Sequence, residues 1–235
     1  MTDQGTTVPL TPELILAYRQ LDTCIVSNAI ETFDVRLRNE GFADATIRCA
    51  FDGLPPVIGH AVTARIRCST PPPVGHSYHD RTDWWTHVLT VPAPRVVVVE
   101  DVDDTPGVGA FVGHVHASIL HRLGCAAYIT NGSVRDLPTV KKTGFQFFAK
   151  TVSVSHAFVH IVDFGQPVTV GRLQVESGDI IYGDGHGVLM IPPSVVGDIP
   201  RIAARMLEQE QRVVALCQSP DFSLERLRTA VRQLG

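Results

Sequence analysis

The run Arg95-Val96-Val97-Val98-Val99-Glu100-Asp101 constrains the fold more than any other segment. Four successive valines cannot alternate between a wet and a dry face. The run therefore reads as a strand buried on both sides, with acids at its carboxyl end. A helix is expected over about 110–123, with Val112, Val115, Ile119 and Leu123 as its buried stripe. Gly124 stops it, and 125–130 reads as a second buried strand. A strand–helix–strand unit implies parallel pairing, so the fold class is α/β.

The flanks fit that class. Thr11-Pro12-Glu13 is a helix-start signal, and a helical region with breaks is expected over 12–38. Residues 57–67 read as a strand, and 81–91 as a helix in which Trp84 and Trp85 serve packing. Short strands are expected at 145–151, 157–164, 168–170, 173–175 and 179–183, giving a partly antiparallel β layer. Asp184-Gly185-His186-Gly187 reads as a tight hairpin turn. Ile199, Ile202, Ala203, Met206, Val213 and Cys217 form a helical stripe. Pro220 breaks it, and Leu224, Leu227, Val231 and Leu234 form another, on a last helix expected to pack on a neighbouring subunit.

Composition narrows the function classes. With 235 residues and 44% hydrophobic content, the chain can bury one sizeable core, and a single domain over 1–235 is expected. Lys plus Arg is 20 against 24 Asp plus Glu, a net charge of −4 without basic runs, so nucleic acid is not an expected partner. Five cysteines without a Cys-x-x-Cys pair argue against a disulfide framework and a cysteine zinc site. The apolar runs are strand-sized, so no membrane span is expected, and a reducing cytoplasm is the simplest location.

Two segments could carry chemistry. Asn131-Gly132-Ser133-Val134-Arg135-Asp136 follows the second buried strand, where ligands gather in open α/β sheets. The guanidinium of Arg135 suits a carboxylate, and Asp136 offers hard oxygen to Mg²⁺. An Asn-Gly turn followed by a surface ion pair is the plain alternative. Gly107-Val108-Gly109-Ala110-Phe111-Val112-Gly113-His114-Val115-His116 enters the expected helix, whose first amides can bind an anion. Its glycines fit neither dinucleotide nor phosphate-loop spacing, and a glycine-rich packing loop is the alternative. On a helix, His114 and His116 diverge by about 200° and cannot share an ion; on an extended segment they could, giving a histidine zinc site. Otherwise His116 and His121 belong on the helix surface, and His160 on an exposed strand position. His76, Tyr78, His79, Asp80, Arg81 and Asp83 form a polar loop that either lines a pocket or is merely solvated.

From Gly113-His114-Val115-His116 through Gly124 to Gly132-Ser133-Val134-Arg135-Asp136, the chain resembles the RraA-like family. That family includes the 4-hydroxy-4-methyl-2-oxoglutarate (HMG/CHA) aldolases and an RNase E regulator. Gly178-Asp179-Ile180-Ile181-Tyr182-Gly183-Asp184-Gly185-His186-Gly187-Val188 and the early Val26-Ser27-Asn28-Ala29-Ile30 are also similar to it, so the resemblance spans about 23–193. Segments 12–20 and 195–234 would then be helical extensions. The resemblance implies a swivelling β/β/α domain with a mixed sheet and C-terminal helices, assembled as a homotrimer or hexamer. It implies a lyase cleaving a 4-hydroxy-2-oxo acid to pyruvate, with oxaloacetate decarboxylation as a related reaction. Asp136 would hold Mg²⁺ or Mn²⁺ and Arg135 would clamp the substrate. Gly113, His114, Val115 and His116 would cradle its carboxylate. The aldolases commonly carry an acid after the glycine, where His114 stands here; Glu100, Asp101, Asp103 or Asp104 would compensate. Glu208 or Glu210 would be the carboxylate lent by a neighbouring subunit. The family's other branch implies a non-catalytic regulator that binds a protein partner.

Overall fold

Parallel strands form the centre of the protein. The computed structural model describes residues 8–76 and 80–232. Two helices come first, α1 (Pro12–Tyr18) and α2 (Thr23–Glu31), capped by the side chains of Thr11 and Asp22. The strands β1 (Arg48–Cys49) and β2 (Val57–Arg67) follow, then α3 (Asp83–Thr90) and β3 (Arg95–Asp101). Next come β4 (Ala110–Val112), α4 (His114–Arg122), β5 (Cys125–Val134), α5 (Leu137–Lys141) and β6 (Gln146–Val152). The second half holds β7 (His160–Phe164), β8 (Val168–Val170), β9 (Leu173–Val175), β10 (Ile180–Asp184) and β11 (Gly187–Ile191). Two helices end the described chain, α6 (Ile199–Gln218) and α7 (Leu224–Val231).

The main sheet runs β1-β6-β5-β3-β2-β10-β11, with β4 added on β5 and β7 on β2. Pairs β2–β3, β3–β5, β5–β6 and β4–β5 are parallel; β2–β10, β10–β11, β2–β7 and β1–β6 are antiparallel. Strand alternation divides the sheet's side chains between two covers. Val97, Val99, Val62 and Tyr128 point to the face covered by α3 and α4, where Trp84, Val88, Ala117 and Leu120 are buried. Ile58, Tyr182 and Ile191 meet the α1, α2 and α6 helices farther along. Val96, Val98, Ala61 and Ile129 point the other way, onto the β8–β9 hairpin. Both faces being covered, β3 tolerates its valine run. The result is a mixed α/β fold with a nearly closed mixed sheet and C-terminal helices, as the α/β reading expected.

Several boundaries differ from the sequence reading. Residues 110–112 are a strand, not the first turn of a helix, because they pair with β5 at Ser133 and Val134. The helix begins only after Gly113. Its buried residues are His116, Ala117 and Leu120, whereas Val115 is 71% exposed. The stripe is thus rotated from the expected one, and His116 is buried rather than on the helix surface. His160 is also buried, its Nδ1 lying 2.9 Å from the Phe158 carbonyl. His121 is exposed, and Trp84 packs fully inside, both as expected. Strand β5 continues through Asn131-Gly132, so no turn forms there. The hairpin at Asp184–Gly187 is present, with those two residues paired. The stripe of α6 is buried only at its start, at Ile199 and Ala203, and α7 buries nothing. Leu234 and the loop residues Tyr78 and His79 lie outside the described residues. Among those described, no helix is long and apolar enough to cross a membrane.

Candidate active site

Parallel strands β4 and β5 end side by side, and the chain reverses sharply at both ends. After β4, Gly113 is the cap residue of α4, with extended backbone. After β5, Arg135 donates its amide to the Val112 carbonyl at 3.3 Å, which ties the two strand ends together. Asp136 then takes a left-handed conformation, φ 60° and ψ 32°. Few residues besides glycine, asparagine and aspartate adopt it readily. This turn lets the Asp136 Oδ2 accept the His114 amide at 2.8 Å, capping α4 from outside its own segment.

Gly113 is required by that approach. A β-carbon there would stand 2.5 Å from Asp136 Oδ2 and 2.9 Å from Arg135 Nε. Arg135 Nε is buried without a hydrogen-bond partner, and its nearest carboxylate oxygen, Asp136 Oδ2, is 3.9 Å away. Both side chains remain about a third to two-fifths exposed, at 34% and 43%. An incompletely partnered guanidinium beside a half-exposed carboxylate has capacity left for a ligand.

Together these groups line a cleft of about 520 Å³. Gly113, His114, Val115 and His116, Arg135 and Asp136, and the 156–159 loop all line it. The loop is held in place: Ala110 donates to the Ser155 carbonyl at 2.9 Å, and Phe158 to that of Cys68 at 3.1 Å. The α4 ladder begins with Ala117 donating to Gly113 at 2.9 Å, so the amides of His114, Val115 and His116 precede it. With His114 turned to Asp136, the amide left at the helix entrance is that of Val115. His116 is closed in; its ring meets Phe111 edge-on at 4.6 Å, and burial lowers its pKa to about 4, so it is neutral. His114 is exposed on the opposite side of α4. The two rings cannot share an ion, as the helical reading required.

The sequence-derived site residues therefore converge: Arg135, Asp136 and 113–116 all line one cleft. The other acids do not join them. Glu100 accepts the Thr169 amide at 3.0 Å. Asp101 and Asp103 are buried at the end of β3 and do not line the cleft; Glu208 and Glu210, expected to act on a neighbouring subunit's site, are exposed on α6. Of the polar loop, Arg81 pairs with Asp83 and sits 5.1 Å from the Phe164 ring centroid, outside the cleft. The sequence reading missed His156, Phe158 and Pro72 as lining residues. Their only local signal is position in loops facing the strand ends.

Asp136 suits a hard divalent cation. Its Oδ1 has no hydrogen-bond partner among the described residues, and Mg²⁺ commonly takes one or two carboxylates and keeps waters. A second group, Cys68, Asp101 and Asp103, has donor atoms within 4.8 Å of one another. Its carboxylates are already engaged by the protein. Asp103 accepts the amides of Cys68 and Ser69 at 2.8 Å each and the Ser69 hydroxyl at 2.6 Å. Asp101 accepts the amides of Asp103 at 3.2 Å and Gly107 at 2.8 Å. Burial pushes the Cys68 thiol up to about 12, so it stays protonated, and it donates to the Gly109 carbonyl at 3.4 Å.

Known proteins agree with this architecture. Residues 23–190 match the RraA-like family, described as Aldolase/RraA. A Halalkalibacterium halodurans protein, provisionally named a 4-hydroxy-4-methyl-2-oxoglutarate aldolase, is 27% identical over 84 residues, covering 35% of this chain and 40% of that protein. A Pseudomonas syringae pv. tomato structure superposes with a TM-score of 0.73 at 17% identity, covering 97% of this chain and 99% of that one. RraAS2 of Streptomyces coelicolor, described as an unusual member of the RNase ES inhibitor RraA protein family, superposes at 0.66 with 19% identity, covering 86% and 95%. By sequence match over most of its length, and with a fold shared with those structures, this chain belongs to the RraA-like family.

Proposed function

We propose that this protein is a divalent-metal-dependent lyase that cleaves a 4-hydroxy-2-oxo acid to pyruvate, and that it also decarboxylates oxaloacetate. The observation that carries the reading is the meeting of Arg135, Asp136 and the α4 entrance in one cleft. Retro-aldol cleavage passes the C4 hydroxyl proton to a water and breaks the C3–C4 bond, so that C4 leaves as a carbonyl product. The electron pair moves onto the C2 oxygen, and C3 is then protonated to give pyruvate. A divalent cation at Asp136 would supply Lewis-acid stabilisation of the charge on that oxygen.

The chain's own groups do the rest. Arg135 binds the oxo acid end, and its buried Nε gains a partner when substrate arrives. That interaction strengthens as charge builds on the C2 oxygen, which is the condition for rate enhancement. The Val115 amide at the α4 entrance holds the carboxylate at a helix N-terminus. Asp136 stays oriented by the His114 amide. No lysine lines the cleft among the described residues, so no Schiff-base route is invoked.

A second reading is a non-catalytic regulator that binds a protein partner. His114 favours it, because an exposed imidazole stands where the aldolases commonly carry an acid. Self-association belongs to either reading. Val214, Phe222, Leu224 and Val231 on the outer part of α6–α7 are about half exposed, and a neighbouring copy would cover them.

A coupled pyruvate assay separates the readings. Oxaloacetate and 4-hydroxy-2-oxo acids are offered with Mg²⁺ or Mn²⁺. Turnover that is lost with EDTA and in Asp136→Asn is expected. Turnover persisting in Asp136→Asn with excess EDTA sinks the metal-dependent lyase. No turnover of any substrate, with a stoichiometric protein partner recovered, favours the regulator.

A further inference from the structure

We propose that Asn131 is a positioning residue for the site: its side-chain amide pins a one-residue bulge in β5 and thereby fixes where Arg135 and Asp136 stand. The inference rests on the lyase reading and adds to it a residue outside the cleft. Between Thr130 and Ser133, β5 advances three residues while β6 advances two, from Ala149 to Thr151. The pairing of β5 with β3 ends at Val99 and Thr130, and its pairing with β4 begins at Ala110 and Ser133. Asn131 and Gly132 are therefore where β5 leaves one neighbour and takes up another. Side chains alternate along a strand, so one residue more or less sends each following side chain to the other face. Bulges beside active sites re-aim side chains in this way.

Asn131 holds the bulge through both backbone groups of one residue. Its Oδ1 accepts the Asp101 amide at 2.7 Å, and its Nδ2 donates to the Asp101 carbonyl at 3.1 Å. One side chain thus supplies the rung that the β5 backbone no longer makes to β3. The anchor is fixed in turn, because Asp101 is buried and its carboxylate accepts the amides of Gly107 and Asp103. Gly132 lets the strands close up: a β-carbon there would stand 3.1 Å from Asp101 Oδ2, and its amide donates to the Thr130 hydroxyl at 2.9 Å. Just beyond, Arg135 donates its amide to the Val112 carbonyl, and Asp136 accepts that of His114. Without the Asn131 amide, the N–H and C=O of Asp101 lose their partners and the bulge relaxes. Arg135 and Asp136 move with it.

Asn131→Ala and Asn131→Asp in the full chain test the proposal. Tyr182→Phe is the control, since it removes buried hydrogen bonds to the Tyr18 and Leu21 carbonyls elsewhere in the core. The readouts are hydrogen–deuterium exchange in peptides covering 110–116 and 133–137, Mn²⁺ affinity, and the kinetics of pyruvate release. In Asn131→Ala, exchange in both peptides is expected to quicken, Mn²⁺ to bind several-fold more weakly, and kcat to fall on the order of 10²-fold. Asn131→Asp keeps an acceptor for the Asp101 amide and should recover part of each loss. Tyr182→Phe should lower the urea midpoint and leave all the other readouts unmoved. Parent-like Mn²⁺ affinity and kcat in Asn131→Ala, or parent-like exchange in both peptides, overturn the proposal whatever the urea midpoint. So does an equal fall in Tyr182→Phe, which would show lost stability rather than lost position. If the parent neither binds Mn²⁺ nor releases pyruvate, the lyase reading falls, and exchange in the two peptides alone decides whether Asn131 positions this segment.

Discussion

Two acids at neighbouring strand ends have opposite fates. Asp103 follows β3; its two oxygens take three hydrogen bonds, from Cys68 and Ser69, and the residue is 8% exposed. Asp136 follows β5; one oxygen takes a single amide, and the side chain is 43% exposed in a cleft. Both sit at carboxyl ends of parallel strands, where ligands are expected. Position alone thus does not make a site. An acid that takes two amides and a hydroxyl from a neighbouring segment is a clamp, and one held by a single bond in a strained turn is available for chemistry.

Replacing each acid should therefore give crossed effects. Asp136→Asn keeps a side chain that tolerates the left-handed turn and can accept the His114 amide, but removes the charge. Metal-dependent pyruvate release is expected to fall on the order of 10²–10³-fold, with the urea midpoint nearly unchanged. Asp103→Ala strands the buried amide of Cys68 and removes both partners of Ser69. It should cost about 3–5 kcal/mol of stability, read from urea unfolding, without altering the metal dependence of what remains folded. Equal stability losses in the two variants would erase the distinction.

Gly113→Ala probes the closeness that holds Asp136. The added β-carbon meets Asp136 Oδ2 at 2.5 Å, so the carboxylate and Arg135 must shift. A shift of this size near the chemistry should lower kcat/KM about 10–100-fold. Stability should fall by about 1 kcal/mol. Unaltered kinetics would show that the glycine serves packing alone.

Legibility from sequence divides along the same lines. The valine run, Gly124 and the second strand were readable because burial on two faces leaves an unbroken apolar signature. The meeting of Arg135 with 113–116 was reached through motif resemblance and strand-end position, and the geometry joins them. The 110–112 strand was hidden because Ala-Phe-Val is too short to show a period, and its partner lies 23 positions away, Ala110 against Ser133. The α4 stripe was misread because hydropathy puts valine inside and histidine outside. Here Val115 faces the cleft mouth, and His116 is buried against Phe111. Asn131-Gly132 looked like a possible turn. Instead the Asn131 side chain bridges to the Asp101 backbone at 2.7 and 3.1 Å, and a β-carbon at Gly132 would crowd Asp101 at 3.1 Å. Both causes are tertiary and leave no local mark.

Acid titration sharpens the contrast within the β3 clamp itself. Burial works to raise the Asp103 pKa, but the hydrogen bonds from Ser69 and Cys68 and the nearby Arg67 outweigh it and hold it below the usual value. A lowered folded pKa means stability that is present above the unfolded value of about 3.9 and lost as pH falls through the folded one. Asp101 goes the other way: burial raises its pKa despite the Gly107 and Asp103 amides. Its folded form takes up a proton first, so acidification through that range favours the folded state. Between pH 5 and about 2.5, Asp103→Asn should therefore lose stability less steeply than the parent, and Asp101→Asn more steeply. Parallel slopes in urea midpoints would show that the two carboxylates do not differ as the hydrogen bonding requires.

The smallest effect is expected at Cys68, and it decides whether the β3 cluster is a clamp or a second metal centre. Burial pushes this thiol up to about 12, and it already donates to the Gly109 carbonyl. The carboxylate oxygens around it are bonded to amides and a hydroxyl, and an ion would compete with those donors for the same charge. Cys68→Ala removes one sulfur and one weak hydrogen bond from a packed position. It should cost about 1–2 kcal/mol and leave the midpoint of metal activation in the pyruvate assay where it was. The metal content of the purified protein should likewise be unchanged by the substitution and reduced by Asp136→Asn. Loss of bound metal in Cys68→Ala alone would reverse the assignment of the two acids and move the ion from the cleft to the end of β3.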